Sequence, residues 1–248
     1  MSQYNTAGSD IVSLLHPDAM QMIRFIQRET LSWQGLRVLD TACGAGELAI
    51  ALQSRGAFVT AVDMDNALLE RARAIARQVG GMRQPHFVLG NLLNLPGDEN
   101  AFQVILCLAN ACAFLPDEEA YLRFFRQCSR LLVPGGRLIM QLLNYDRILD
   151  FHDYVFPDVE DKERGFTLKR HMMPNAQHQW ELHTQIRHIS MDKFQIGNYV
   201  TVLHPLTRHR LAQMLTDHEF GGIDFYGDVD ANIWKADSIG TVCVAVRK

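Results

Sequence analysis

This 248-residue chain is short of several things, and each shortage closes a class of function. It has no excess of positive charge: 24 Lys and Arg face 28 Asp and Glu, for a net charge of −4, so no basic footprint for nucleic acid or an anionic membrane is present. No apolar run reaches the roughly 20 residues that a membrane-spanning helix needs. The opening residues, MSQYNTAGSD, lack the basic start and apolar core of a signal peptide. The five cysteines (43, 107, 112, 128 and 243) show no C-x-x-C spacing, and most sit inside apolar or helical patterns. A reducing cytoplasm is therefore the expected location. Seven of the ten histidines fall between 171 and 218, yet no H-x-H or H-E-x-x-H occurs. His183 and His188 are five apart on a predicted strand and would face opposite sides, so no metal site is expected. Internal repeats and low-complexity linkers are absent as well.

What remains is an ordinary globular composition, 48% apolar and 21% charged, with a strong alternation of strand and helix patterns. A helix is predicted over 17–31, with Pro17 and Asp18 at its start. Strands are predicted over 36–40, 57–62, 86–90, 101–108 and 137–143. Helices over 46–55, 65–79 and 117–131 lie between them, and Val133-Pro134-Gly135-Gly136 reads as a turn. Strands 86–90 and 101–108 are apolar throughout, as in a parallel sheet covered on both faces. This alternation implies a doubly wound α/β sheet with right-handed crossovers. Residues 144–205 break the rhythm with three strand-like segments, 165–172, 179–190 and 194–204, and read as an antiparallel insertion or lid. A helix over 208–219, capped by Thr207 and ended by Gly221-Gly222, precedes strands 223–229 and 239–247.

The most informative stretch is VLDTACGAGELAI, residues 38–50. Gly44-Ala45-Gly46-Glu47-Leu48-Ala49 satisfies the G-x-G-x-x-G/A dinucleotide fingerprint, and Asp63 ends the next strand where an acid could bind a ribose. An NAD-dependent oxidoreductase is therefore one reading. Asp40 argues against it. A carboxylate at the mouth of the loop would repel a pyrophosphate, by roughly 1 kcal/mol at about 4 Å in water and several times that in a partly buried site. A ligand with an ammonium beside a carboxylate resolves the conflict. The ammonium can lie near Asp40, the carboxylate can meet amide N–H groups at the helix start after Gly46, and a ribose diol can meet Asp63.

These residues resemble the class I S-adenosylmethionine-dependent methyltransferases. VLDTACGAGEL resembles that family's first motif, with Ala42 where many members have another glycine. VTAVDMD resembles the ribose-binding acid region, and FVLGNLLNLP the adenine-contacting segment, with Asn91 where the family often has Asp. FQVILCLANACAFL and LLVPGGRLIM resemble the fourth-strand motif and the turn into strand five. The resemblance is strong over residues 36–145 and implies a Rossmann-like, seven-stranded doubly wound sheet with its last strand antiparallel and a β-rich lid after strand five. It divides the chain into a cofactor-binding domain, 1–143 with 206–248, and an insertion, 144–205. S-adenosyl-L-methionine is the implied cofactor. Its expected contacts are Asp40, Ala42, Gly44, Gly46, Asp63, Met64, Asn91, Leu92, Leu108 and Asn110, with Tyr4 a candidate to close over it.

The resemblance implies methyl transfer to nitrogen or oxygen of a small molecule. No catalytic residue is identifiable, because in-line transfer depends chiefly on holding donor and acceptor aligned. Asn144-Tyr145-Asp146 resembles the same place in glycine N-methyltransferases, where a preceding arginine holds the glycine carboxylate; here that position is Leu143. Efficient use of glycine is therefore not expected. Candidate acceptor contacts are Asn144, Tyr145, Arg170 and His204, with His188 beside them. Strand alternation puts Arg170 with Phe166, Leu168 and Met172, and groups Trp180, Leu182, Thr184, Ile186 and His188. It also groups Phe194, Ile196, Asn198, Val200 and Val202 with His204. A macromolecular methyltransferase and a catalytically silent cofactor-binding protein are the other readings. The oligomeric state is not legible, and a homodimer is compatible with the sequence.

Overall fold

Strand β1 (Arg37–Asp40) is the axis of the main sheet. On one side it pairs in parallel with β2 (Phe58–Asp63), which pairs in parallel with β3 (His86–Leu89). On the other it pairs in parallel with β4 (Phe102–Cys107), and β4 with β5 (Leu132–Leu143). Two late strands, β11 (Phe220–Tyr226) and β12 (Gly240–Arg247), complete the order β3-β2-β1-β4-β5-β12-β11, with β12 antiparallel to both neighbours. The order reverses direction between β1 and β4, and ligands of open α/β sheets bind at the carboxyl ends of strands beside such a reversal. The structure is a computed structural model that describes residues 19–30, 32–81, 83–161, 165–190 and 193–248. Tyr4 and the expected helix start at Pro17-Asp18 lie outside these residues.

The continuous apolar runs have a physical reason. Alternate residues of each central strand enter opposite buried layers. Leu39, Ile105, Leu138 and Met140 pack with helices α4 (Glu118–Leu131) and α6 (Arg208–Thr216). Val38, Val104, Leu106 and Ile139 pack on the other face with α1 (Ala19–Glu29), α2 (Glu47–Ser54) and α3 (Asn66–Val79). Caps fix two of these helices. Asp65 accepts the Ala67 N–H at 2.8 Å and starts α3, while Asp117 accepts the Ala120 N–H at 2.8 Å and starts α4.

Two boundaries differ from expectation. The Val133–Gly136 turn lies inside the assigned span of β5, as an irregularity with Gly135 at φ +77° and a register shift between Phe102 and Val104 of β4. Helix α6 ends at Thr216, before Gly221-Gly222. Those glycines instead form an irregularity in β11, where the register shifts between Gly221 and Asp224.

Residues after β5 form a second, five-stranded antiparallel sheet. β8 (Phe166–Pro174), β9 (Trp180–Ser190) and β10 (Lys193–Leu203) follow the three expected segments. Two very short strands, β6 (Tyr154–Val155) and β7 (Val159–Asp161), add to the edge of β8. Met172 and Leu203 carry this sheet into the buried layer shared with Tyr145 and Cys112. A short 3-10 helix after β4 (Ala111–Phe114) takes the end of β10: the His204 N–H donates to the Ala113 carbonyl at 2.8 Å. The Tyr121 hydroxyl of α4 donates to the His204 carbonyl at 2.7 Å. Tyr121→Phe removes that donor, and urea unfolding should show a loss of about 1–2 kcal/mol, with faster amide exchange over 201–204.

Candidate active site

The carboxyl ends of β1, β2, β3, β4 and β5 bring most of the expected cofactor and strand-five residues into one region. Asp40 closes β1 and is 4% exposed. Just after it, the Thr41 N–H and hydroxyl both donate to the Leu106 carbonyl, at 3.0 and 2.8 Å, which ties the loop to β4. The Cys43 N–H donates to the Val62 carbonyl at 2.9 Å and ties it to β2. Gly44 and Gly46 both adopt left-handed backbone, at φ +56° and +79°. Gly46 has a second reason to be glycine. A Cβ there would stand 2.8 Å from the Phe87 ring and 2.9 Å from the Ala72 methyl. It also occupies the N-cap of α2 without a side chain that could cap the first amides. Those amides are thereby left to meet an anion.

Asp63 does more than end β2. Its Oδ2 accepts the Gly44 N–H at 2.8 Å, and its Oδ1 accepts the Asp65 N–H at 2.9 Å. A carboxylate has about four lone-pair sites, so Asp63 can brace the loop and still receive two ribose hydroxyls. Burial pushes the Asp63 carboxyl up, against the pull of these N–H donors. Burial also pushes Asp40 up, to about 7, assisted by the nearby negative charge of Asp63 and Glu47 and opposed by the Ala42 N–H. The loop thus holds a buried acid that a neighbouring cation would ionise.

The rim is apolar and open. Met64, just past β2, is 76% exposed, and Leu89 at the end of β3 is also exposed. Asn91 is exposed, and its Oδ1 accepts the Leu93 N–H at 2.9 Å, forming the turn after β3. Leu92 is half-buried and gives its carbonyl to Gln127 at 3.2 Å. Ala42 is half-buried in the loop, and Leu108 is buried at the end of β4.

After Leu108 come two consecutive non-glycine residues in the left-handed region, Ala109 at φ +52° and Asn110 at φ +62°. Such backbone persists where its surroundings impose it. Gln141 of β5 supplies the restraint: its Oε1 accepts the Ala109 N–H at 3.1 Å and its backbone carbonyl accepts the Asn110 N–H at 2.9 Å. The Asn110 amide pairs with the Tyr145 hydroxyl at 2.9–3.0 Å. Gln141 is not singled out by the sequence, where the only sign is one polar residue inside the apolar stretch LIMQLL.

The acceptor candidates divide. Tyr145 is buried, and burial raises its phenol, so it stands as a protonated partner of Asn110. Asn144 is fully buried; its amide donates to the carbonyls of Ala236 and Ser238, each at 3.0 Å, and of Lys235 at 3.4 Å. It fastens the 235–238 loop to the end of β5. Arg170 lies on the inner face of the second sheet. His204 leaves β10 to lie against the Tyr121 ring, 5.8 Å between centroids. The grouping of His204 with Asn198, Val200 and Val202 does not place those residues toward the sheet. The register pairs Val200 with His183 and Val202 with Glu181, which puts both valines on the outer face, 49% and 50% exposed. The His188 side chain lies outside the described residues. Among the described residues, no group of three or more His, Cys, Asp or Glu could hold a metal ion.

Residues 38–136 match a protein family described as a methyltransferase domain. The matched span, less than half of the chain, is similar to a methyltransferase domain. Its loop, with Asp40, Gly44 and Gly46, and Asp63 across from it all lie inside the matched span. Over 141 residues the chain is 30% identical to a ubiquinone biosynthesis O-methyltransferase of Coxiella burnetii, covering 57% of this chain and 56% of that one. Over 125 residues it is 34% identical to glycine N-methyltransferase of Rattus norvegicus, covering 46% and 42%. The chain thus spans about half the length of these curated relatives. A crystal structure of an S-adenosylmethionine-dependent methyltransferase from Clostridium acetobutylicum overlays with a TM-score of 0.79 at 16% identity, covering 93% of this chain and 92% of that one. That likeness extends the shared fold through the second sheet.

Two outcomes follow from the loop. Gly46→Ala combines a left-handed penalty with two close contacts and should cost about 2–4 kcal/mol in urea unfolding. In the free protein, the native state holds the Asp40 proton more tightly than the unfolded chain does. That contribution is fully present below about pH 4 and is lost as pH rises through about 7, a decline on the order of 4 kcal/mol. Asp40→Asn should flatten the fall in stability between pH 4 and 7, measured by denaturant titration.

Proposed function

We propose that this chain is an S-adenosylmethionine-dependent methyltransferase whose acceptor is a nitrogen or oxygen of a small molecule. The observation that carries this reading is the charge arrangement at the loop: a buried acid, Asp40, beside glycines and uncapped amides, with Asp63 on the other side. A zwitterionic amino acid on an adenosine fits this set, whereas a pyrophosphate would meet Asp40 and Asp63 unfavourably. When bound, the cofactor supplies an electrophilic methyl on a sulfonium: an acceptor lone pair forms the new bond to carbon, the carbon–sulfur pair returns to sulfur, and any acceptor proton leaves to water or base. Asp40 would hold the ammonium, the amides at the start of α2 the carboxylate, and Asp63 the ribose diol. Leu108, Ala109 and Asn110 would border the methyl, with Asn110 held by Tyr145 and Gln141.

Residues 144–205 are the lid in this reading. Its inner face continues the buried layer around Tyr145, which favours an enclosed small acceptor over a macromolecular groove. Five free, buried cysteines suit a reducing compartment. No helix among the described residues is long and apolar enough to cross a membrane.

Thermal unfolding with separate additions of S-adenosylhomocysteine, S-adenosylmethionine and NADH tests the cofactor. The two adenosyl ligands should raise Tm by about 5–10 °C at a hundredfold excess over Kd. NADH should leave it unchanged, and a rise with NADH alone would replace this reading with an oxidoreductase. Asp63→Ala should lose at least tenfold in affinity for S-adenosylhomocysteine by calorimetry, provided its Tm without ligand shows a folded protein. Unchanged affinity would remove Asp63 from the ribose.

A further inference from the structure

The inner face of the second sheet is apolar with one marked exception. Leu168 and Met172 are fully buried on β8, and Arg170 stands between them on the same face. The register places Thr184 of β9 beside it and Tyr199 of β10 beyond. The Arg170 guanidinium carbon lies 4.9 Å from the centre of the Phe156 ring. Its Nε is buried and has no hydrogen-bond partner, and among the described residues no carboxylate forms an ion pair with it.

The contrast with its neighbours is specific. On the outer face of the same sheet, Lys169 pairs with Asp158 at 3.0 Å, His171 with Asp153 at 3.1 Å and His183 with Glu181 at 3.0 Å. Near the end of β5, Arg147 donates to the Asp237 carbonyl, and Arg208 lies over the Trp234 ring. Among these side chains, Arg170 is the one whose Nε is buried without a hydrogen-bond partner. A charge withdrawn from water is normally paired, and a ring face is only partial compensation. Burial accordingly pulls the guanidinium below its ordinary value. Its position also matters: Phe156 and Met172 belong to the buried cluster that includes Tyr145, which bonds Asn110 at the end of β4. The Arg170 guanidinium therefore belongs to the face of the second sheet that packs on the cluster containing Tyr145.

We propose that Arg170 receives the carboxylate of the methyl acceptor, so that the lid selects small molecules carrying that group. This rests on the methyltransferase reading and deepens it. A planar guanidinium matches a carboxylate with two parallel N–H donors, a geometry that neither an amide nor an ester reproduces. The assigned role is specificity and positioning.

The test uses the full chain saturated with S-adenosylhomocysteine. Small aromatic and aliphatic amines and phenols are titrated by calorimetry, each as a matched carboxylic acid and carboxamide, against wild type, Arg170→Lys and Arg170→Met. The acid of at least one pair should bind the wild type ten- to a hundredfold more tightly than its amide. Arg170→Met should abolish that difference, and Arg170→Lys should keep part of it, with affinity for S-adenosylhomocysteine unchanged in both. Equal binding of acids and amides, no binding by any acid, or a preference that survives in Arg170→Met would overturn the proposal. If Arg170→Met unfolds, Arg170→Lys decides: an undiminished preference there would equally count against the forked contact. Failure of the wild type to bind S-adenosylhomocysteine would overturn the methyltransferase reading and this proposal with it. Loss of acid preference with that binding intact overturns this proposal alone.

Discussion

The Asp63 carboxylate on the Gly44 N–H is the contact on which the carboxyl end of the sheet depends. It spans from β2 to the loop after β1 at 2.8 Å and fixes the loop's path. That path sets three further things: the burial of Asp40, the left-handed turn at Gly46, and the entry of α2 without a side-chain cap. Alanine at 63 would leave the Gly44 amide without its acceptor. The same acid raises the proton affinity of Asp40, because the two carboxylates share a partly dry region. One side chain thus builds the loop mechanically and tunes it electrostatically. The result is a site poised for a cation even before any ligand contact is considered.

A second constraint comes from β4. Its last residues turn through two left-handed positions that favour glycine, yet alanine and asparagine occupy them. The cost of such backbone is of order 1–3 kcal/mol per residue. Gln141 and Tyr145, both from the chain at and after β5, hold the turn in place. Asn144 then locks the start of α5 (Tyr145–Ile148) to the 235–238 loop. The end of β4 is therefore braced by β5, and β5 by the loop before β12. The rigidity that aligned group transfer demands is built from neutral amides and a buried phenol.

Much of this was legible in the residues. Long periodic segments showed their helices, and doubly apolar strands showed a sheet covered on both faces. Asp40 beside Gly44 and Gly46 identified the loop's electrostatic conflict without coordinates. The failures have physical causes. β6 and β7 are two and three residues long, too short to display a period. Gly221-Gly222 read as a helix stop because glycine punctuates both helices and bulged strands. For β10, alternation groups Val200 and Val202 with His204 but does not say which face turns inward. Pairing fixes that: Leu182 opposes Thr201 and Trp180 opposes Leu203, so Thr201 and Leu203 join the inner face. Asn144 was read as an acceptor contact because its neighbours resemble a binding motif. Only the fold shows that distant carbonyls already use its amide.

The two faces of the second sheet differ in how their polar residues are used. On the outer face, the contacts Lys169–Asp158, His171–Asp153 and His183–Glu181 are screened by water and contribute little to stability, and Arg187 donates to Gln185. Among the described residues, the inward-facing set includes Arg170, whose guanidinium lies against the Phe156 ring. Stability alone would favour an aliphatic residue between Leu168 and Met172, since a half-buried charge without a carboxylate partner is poorly compensated. Retaining arginine there makes sense if the missing half of the pair arrives with a ligand. The β4–β5 end contains no obvious base: its phenol is kept protonated by burial, and its amides do not titrate. In the proposed reaction selectivity then depends on where the acceptor is held, and Arg170 on the inner face of the second sheet is the group proposed to hold it.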